Sequence, residues 1–458
     1  MPTAAVLALE VDPSDNVYVG LNGGTIGGRA NFTRLDPTGA LDLSGFWNVA
    51  VQPPFQTSVN GPVRAIKYSP NLFGIGSPGV VVGGTFTQAT GGTSQNVGNI
   101  ALFDLNGQVD FFFPTTGGGA NGTVNALAVA PAPPGTFDQI FAGGEFSFFN
   151  QVARPRVAKF TSVGLDLTFN PPPAVADTIP NPVQALVLTD GAFSSNTPFT
   201  ILHVGGRQNS PSNSASVGLN VINATSSPSL TTRSPFFTAS TPSRQAFTRA
   251  MAANASTGAL FGGEFFGGGG VTPSPTDGEK LVATFNTSYN PTNGVPVAGG
   301  LPSFVFLKGA SVGPTQFYAS ALVPPLEPGT GGLLRPGDLL IGGDVGLDSS
   351  PTPNLDTVGN TVELYRITPC GEVTVIARFR NVSGYLVRND IDNGAFVGPQ
   401  DDINTAPGMG FRRVDNTDPA SIRAIAVDPQ GRVYVGGQFN QVSDVRTVPL
   451  CRGTTLSV

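Results

Sequence analysis

Apolar residues recur on alternate positions in short runs along the whole chain, the period of a strand with one face buried. VRAIKY at 63–68 and VNALAV at 124–129 are two such runs. Each is followed, after a turn, by a second run that closes on paired glycines, VVVGG at 80–84 and IFAGG at 140–144. The first strand has the form Val-x-Ala-Leu/Ile. The glycine pair recurs as Gly83-Gly84, Gly143-Gly144, Gly205-Gly206, Gly262-Gly263, Gly342-Gly343 and Gly436-Gly437, with VYVGL and its Gly20 as a degenerate copy near the N-terminus. Successive copies lie 63, 60, 62, 57, 80 and 94 residues apart. Such a period is the signature of an array of small units that bury their faces against one another.

The unit is longer than its first hairpin. A Phe stands two residues beyond the glycines in the better copies (Phe86, Phe146, Phe265, Phe439), and a loop of about 10 to 15 residues leads to a third strand. That strand reads NFTRLDPTGALD at 31–42, NIALFDLNGQVD at 99–110 and RVAKFTSVGLD at 156–166, and a short fourth follows its turn, as in VDFFFPT at 109–115 and LDLTFNPP at 165–172. Seven units of four antiparallel strands predict an all-β chain, a single β-propeller domain over 1–458 with the 32 Phe filling the space between blades. The glycine pairs predict either positive φ or a close approach of neighbouring backbone. No following helix or Lys-Ser/Thr supports a phosphate-cradling loop. Only 19 residues follow Phe439, so the last blade is expected to be incomplete, with an open sheet edge that invites another chain to pair.

Taken together, VRAIKY, VVVGGTF and IALFDLNGQVDFFF, then VNALAV, IFAGGEF and RVAKFTSVGLDLTFNP, resemble the bacterial propeller repeats of about sixty residues called delta-sixty repeats. The resemblance covers nearly the whole chain, most strongly in the second, third and seventh units. It implies a β-propeller fold, a large surface for ligands or partners, the company of large secreted bacterial proteins, and no catalytic residue common to the family.

Composition narrows the function classes. The 60 Gly and 41 Pro exclude long-helix architectures. Charged residues make up 12%, against roughly 25% in an average domain, while 40% apolar residues exceed what a disordered chain carries. With 24 Lys and Arg against 30 Asp and Glu, a net charge of −6 and no basic run, nucleic acid is not an expected partner. One histidine, His203, and two cysteines, Cys370 and Cys451, exclude a multi-histidine or Cys-rich metal site. The cysteines fall near corresponding turns of adjacent units and are expected as free thiols. No cofactor is expected. No uncharged apolar stretch approaches the roughly 20 residues of a membrane span, and the opening MPTAAVLALEVD, which meets Glu10 early, does not read as a signal peptide.

The period is broken twice, by expected loop insertions at 267–303 and 381–419. The second is the most charged part of the chain, and its Asp390, Asp392, Asp401 and Asp402 are candidates for a calcium ion, which takes several carboxylate and carbonyl oxygens. Against that, NDIDNG at 389–394 places Gly394 at the fifth loop position where the turn glycine belongs at the sixth, so a solvated loop paired with local Arg is the competing reading. His203, in FTILHVGG, reads as a structural histidine. Asp42, Asp110 and Asp166, at the third-strand turns, read as backbone-binding turn residues. Trp47 is the only tryptophan, a composition that disfavours stacked sugar rings.

These features point to a non-enzymatic propeller serving as a structural and binding module. A surface-like composition without a visible export signal fits a virion component, a phage tail or decoration protein that mediates assembly or host attachment. Its expected partners are other protein subunits, reached through the incomplete C-terminal blade, and a surface glycan. The alternatives are a bacterial cell-surface or secreted adhesion propeller, and a polysaccharide-active hydrolase or lyase with converging carboxylates.

Overall fold

The computed structural model describes residues 4–48, 56–110, 118–130, 136–170, 182–192, 198–206, 219–223, 230–233, 247–254, 258–264, 280–284, 303–307, 317–327, 334–343, 361–368, 373–380, 385–388, 411–414, 420–439 and 441–443. It is all-β, built of small antiparallel sheets, with a single 3-10 turn at Gly45–Trp47 among the described residues. Among the described residues no helix is long and apolar enough to cross a membrane.

Each glycine-paired segment forms the second strand of an antiparallel hairpin. In units one to seven these hairpins are Val6–Val11 with Val17–Ile26, Val63–Ser69 with Gly79–Gly84, Val124–Ala130 with Gln139–Gly144, Val183–Ala192 with Pro198–Gly206, Phe247–Asn254 with Gly258–Glu264, Phe317–Leu322 with Leu339–Gly343, and Ser421–Val427 with Val433–Gln438. A third strand pairs with the far edge of the second in units one to six. Units three to six carry a fourth strand, whereas in units one and two it shrinks to single bridges, Leu35 with Leu41 and Phe103 with Val109. In unit one the cause is local: beyond the turn the Asp42 carboxylate captures the Ser44 amide (2.7 Å), so the backbone bends away after one pair.

First strands touch one another in chain order, and Ser421–Val427 of unit seven touches Val6–Val11 of unit one. The glycine pairs explain how the strands come so near. None of the described pairs has positive φ. The first glycine instead receives a side chain of the following unit: a Cβ at Gly83 would stand 2.6 Å from Val124 Cγ1, and one at Gly342 2.8 Å from Ile422 Cγ2. Gly436 of unit seven is closed off in the same way by Val6 of unit one. Of the two expectations for the pairs, close approach is the one realised.

The core is correspondingly a succession of clusters, each shared by two units. Val80 and Val82 face Tyr18, Phe32 and Trp47 of unit one, while Val81 between them faces Val124 and Leu127 of unit three. Both faces of a sheet are thus buried, which is why the second strands read as continuous apolar runs. Val6, Val17 and Val19 of unit one share a cluster with Ala424 of unit seven.

The stretch after Gly-Gly-x-Phe, expected as a plain loop, holds further strands. Gln88–Gly91 and Thr93–Asn96 form a hairpin whose first strand pairs with Ser58–Val59, and Ser58–Val59 in turn lies against unit one. Phe149 makes the equivalent bridge to Ala120, and Gln441–Ser443 pairs with Val373–Arg380 of unit six. Each of these segments fastens its unit to the one before. In units two and three an Asn just ahead of the first strand ties this segment to its own unit, Asn60 Oδ1 accepting from the Thr87 and Gln88 amides and Asn121 Oδ1 from those of Ser147 and Phe148, all at 2.9–3.0 Å. An Asn of the preceding unit reaches across, Asn31 Nδ2 to the Val59 carbonyl and Asn99 Nδ2 to that of Ala120, each at 2.9 Å. Within 267–303 lies the third strand of unit five, Lys280–Thr284, and within 381–419 a two-stranded sheet of Tyr385–Arg388 and Phe411–Val414.

Candidate functional site

Every first strand carries one register shift, and it falls at the same place in the repeat, on the x of Val-x-Ala or its variants. A bulge of this kind re-aims the residue it sets free. The seven bulge residues are Leu7, Arg64, Asn125, Gln184, Arg249, Tyr318 and Arg423. Since the first strands touch in closed succession, equivalent bulges succeed one another around the same circuit. Two neighbouring contacts are direct: the Arg423 guanidinium lies 3.8 Å from the centre of the Tyr318 ring, and Asn125 Nδ2 donates to the Val183 carbonyl at 3.0 Å. Arg64 is exposed. Three of the chain's 24 Lys and Arg occupy this one position of the repeat.

The flanking positions are held by packing, since residues such as Val63, Val124 and Ile422 seat on the glycine of the preceding unit and the Ala two positions on is buried in units one, three, four, five, six and seven. The bulge position carries no such duty, and there the chemistry varies from Leu to Arg. Sequence reading found the Val-x-Ala frame without reading its x. The available signal was the contrast between near-constant neighbours and a variable, cation-bearing middle.

The buried acids have structural tasks. Asp12 accepts from the Ser14 amide (2.8 Å), the Asn16 amide (3.0 Å) and the Tyr18 hydroxyl (3.1 Å). Asp428 repeats the arrangement with the Arg432 amide (2.8 Å), Arg432 Nε (2.5 Å) and the Tyr434 hydroxyl (3.0 Å). Burial pushes the Tyr18 phenol well above its ordinary range. Asp338 pairs with Arg366 Nε at 2.5 Å, both fully buried.

Of the residues singled out by sequence, Asp42 and Asp166 do bind turn amides, of Ser44 at 2.7 Å and Thr168 at 2.9 Å, and each also pairs with a cation, Arg34 and Lys159 respectively. Burial acts to raise both carboxyls, but these amides, the neighbouring hydroxyls and the cations outweigh it and hold both below the ordinary carboxylate value. Neither therefore holds a proton for general-acid chemistry at neutral pH. The Asp110 amide donates to the Leu102 carbonyl at 2.8 Å. His203 is buried between Val187 and Val221 on the neighbouring strands, and burial pulls its pKa down to about 4. Trp47 is fully buried and donates Nε1–H to the Leu105 carbonyl at 3.0 Å, so it offers no open face. Asp390, Asp392, Asp401, Asp402, Cys370 and Cys451 lie outside the described residues, among which no group of three or more His, Cys, Asp or Glu could hold a metal ion.

No family model matches the chain, and no curated protein matches it. Among solved structures it is similar to selenomethionine-substituted virginiamycin B lyase from Staphylococcus aureus, at 11% identity and a TM-score of 0.33, over 81% of this chain and 84% of that one. A likeness at that level carries no argument about activity.

Proposed function

We propose that the chain is a seven-bladed β-propeller of the delta-sixty kind that works without catalysis, as a binding and assembly module whose ligand-facing side chains are the bulge residues of the first strands. One observation carries the reading: the same bulge recurs in all seven hairpins, and the residue it frees is chemically varied while its neighbours are fixed by packing. Repetition conserves what packing demands and leaves the remainder open to recognition. The buried carboxylates, tied to turn amides, tyrosines and arginines, fit a structural role better than hydrolysis.

The setting we propose is a virus particle, where the module joins tail or decoration subunits or meets a host surface. The resemblance to delta-sixty repeats favours a second setting, a bacterial surface or secreted protein. Mass spectrometry of purified particles against envelope fractions separates the two. The binding reading predicts that Arg64→Ala with Asn125→Ala weakens adsorption to the particle or cell surface while the melting temperature falls by no more than the about 1 °C that the lost Asn125–Val183 bond accounts for. Steady release of new reducing ends or unsaturated uronates from polysaccharide by the purified chain would overturn it.

A further inference from the structure

A second surface, separate from the bulge residues, lies at the turns between units two and three. A cleft of about 520 Å³ opens there, in the size range of ligand sites. Phe73 and Pro78 of the first hairpin turn of unit two, Phe137 of the matching turn of unit three, and Val163 form its apolar walls. Asp104 and Asp110 add two carboxylates, and among the described residues no Lys, Arg or His lines it.

The cleft is built in advance. Asp138, fully buried in unit three, accepts from Ser69 Oγ at 2.7 Å and the Asn71 amide at 2.9 Å, locking the unit-two turn that carries Phe73. Asp104 Oδ1 accepts from the Gln108 amide at 2.8 Å, which fixes that carboxylate at the rim. Apolar exposure also gathers here: Val163 is 62% exposed, and Ile75, on the Phe73 turn, is 71% exposed. Large aliphatic side chains left in water on two adjacent turns mark an interaction surface.

We propose that this cleft docks a short segment of a partner protein carrying an aliphatic or aromatic side chain beside a Lys or Arg. The apolar chain fills the space between Phe73, Phe137 and Val163, and the cation meets Asp104 and Asp110. Charge complementarity selects the basic neighbour, because the described walls carry two carboxylates, one of them, Asp104, set at the rim, and no described cation. The apolar lining outweighs the polar, which favours a peptide over a saccharide that would need many hydrogen bonds.

Selection of phage-displayed random twelve-residue peptides on the immobilised full chain tests this, with the enriched peptides synthesised and their affinity read by fluorescence anisotropy. The expected result is a motif of an apolar residue beside Lys or Arg. Replacing that cation with Gln, or using the Val163→Lys protein, should weaken binding by about tenfold or more, from lost apolar burial and added repulsion. Val163→Lys is on an exposed turn and should melt with the wild type. Asp104→Asn, which keeps the acceptor for the Gln108 amide and removes one carboxylate charge, gives an independent loss of affinity. Enriched peptides without a basic residue, peptides that bind Val163→Lys as tightly as wild type, no enrichment at all, or a glycan whose binding Val163→Lys abolishes would each overturn the proposal. None of these outcomes bears on Arg64 or Asn125, so the reading of the bulge residues stands or falls separately.

Discussion

The contact between Val6 and Gly436 joins the first unit to the last, and a double-mutant cycle across it measures whether the circuit closes. A Cβ on Gly436 would stand 2.9 Å from Val6 Cβ and 3.2 Å from Leu9 Cδ1, and nearer still to Val6 Cγ1. Overpacking of this kind costs about 1–3 kcal/mol, so Gly436→Ala should destabilise by about 2 kcal/mol. Val6→Ala removes two methyl groups from a buried site, about 1.6 kcal/mol of transfer free energy plus a small cavity, again about 2 kcal/mol. At roughly 2.1 cal/mol/K per residue, unfolding 458 residues carries an entropy of about 1 kcal/mol/K, so each single variant should melt about 2 °C lower. In the double variant the new methyl enters the space that Val6 vacates. Scanning calorimetry should then show a loss of about 2–3 °C rather than about 4 °C, a coupling of at least about 1 kcal/mol. Additive losses, or two silent single variants, would mean that Val6 is not seated on Gly436 and that the ends do not meet as described.

Three further outcomes are expected. The His203 pKa is lowered from 6.5 to about 4 by burial, so the unfolded chain binds the extra proton first; the stability involved is intact above pH 6.5 and is lost as pH falls toward 4, by up to about 3 kcal/mol. Urea titrations of wild type and His203→Gln across pH 7.5 to 4.5 should show a steeper acid loss in the wild type, and parallel profiles would refute it. Arg366→Met strands the buried Asp338 carboxylate and should cost about 3–5 kcal/mol, with much of it recovered on adding Asp338→Asn; a silent single variant would refute the pair. Trp47→Phe removes the donor to Leu105 while Arg34 keeps its own bond to that carbonyl, so the hydrogen bond should contribute only about 1 kcal/mol and the smaller ring and its cavity about 1–2 kcal/mol more in the same titration; a total loss above about 5 kcal/mol would contradict this sharing.

The strand class and the hairpins were legible because packing writes both in short range. The Val-x-Ala frame and the glycine pair are two halves of one contact, a branched side chain of one unit set into the missing side chain of the one before. The shortened fourth strands of units one and two were not legible: Asp42, Asp110 and Asp166 all read as turn residues, yet unit three keeps a two-residue fourth strand beside Asp166 while units one and two keep one bridge each, a difference the turn chemistry in the sequence does not carry. The bulges were hidden for a related reason: a register shift leaves the alternation on either side intact. The short segments that fasten one unit to the preceding one were read as loop, since two to four residues are too few to show a period. The acidic stretch from Asp390 to Asp402 stands as a sequence expectation, outside the described residues.

The fastening segments give the circuit a polarity with a bearing on how the chain is made. Residues 88–91 need Ser58–Val59, Phe149 needs Ala120, and residues 441–443 need Val373–Arg380, so each hook finds its eye already synthesised. A ribosome that releases unit after unit supplies them in the order in which they can be consolidated. The one junction that must wait is Val6 with Gly436, 430 residues apart. Nascent chains should therefore gain protease resistance in steps from the N-terminus, with the final step set by the meeting of the two ends.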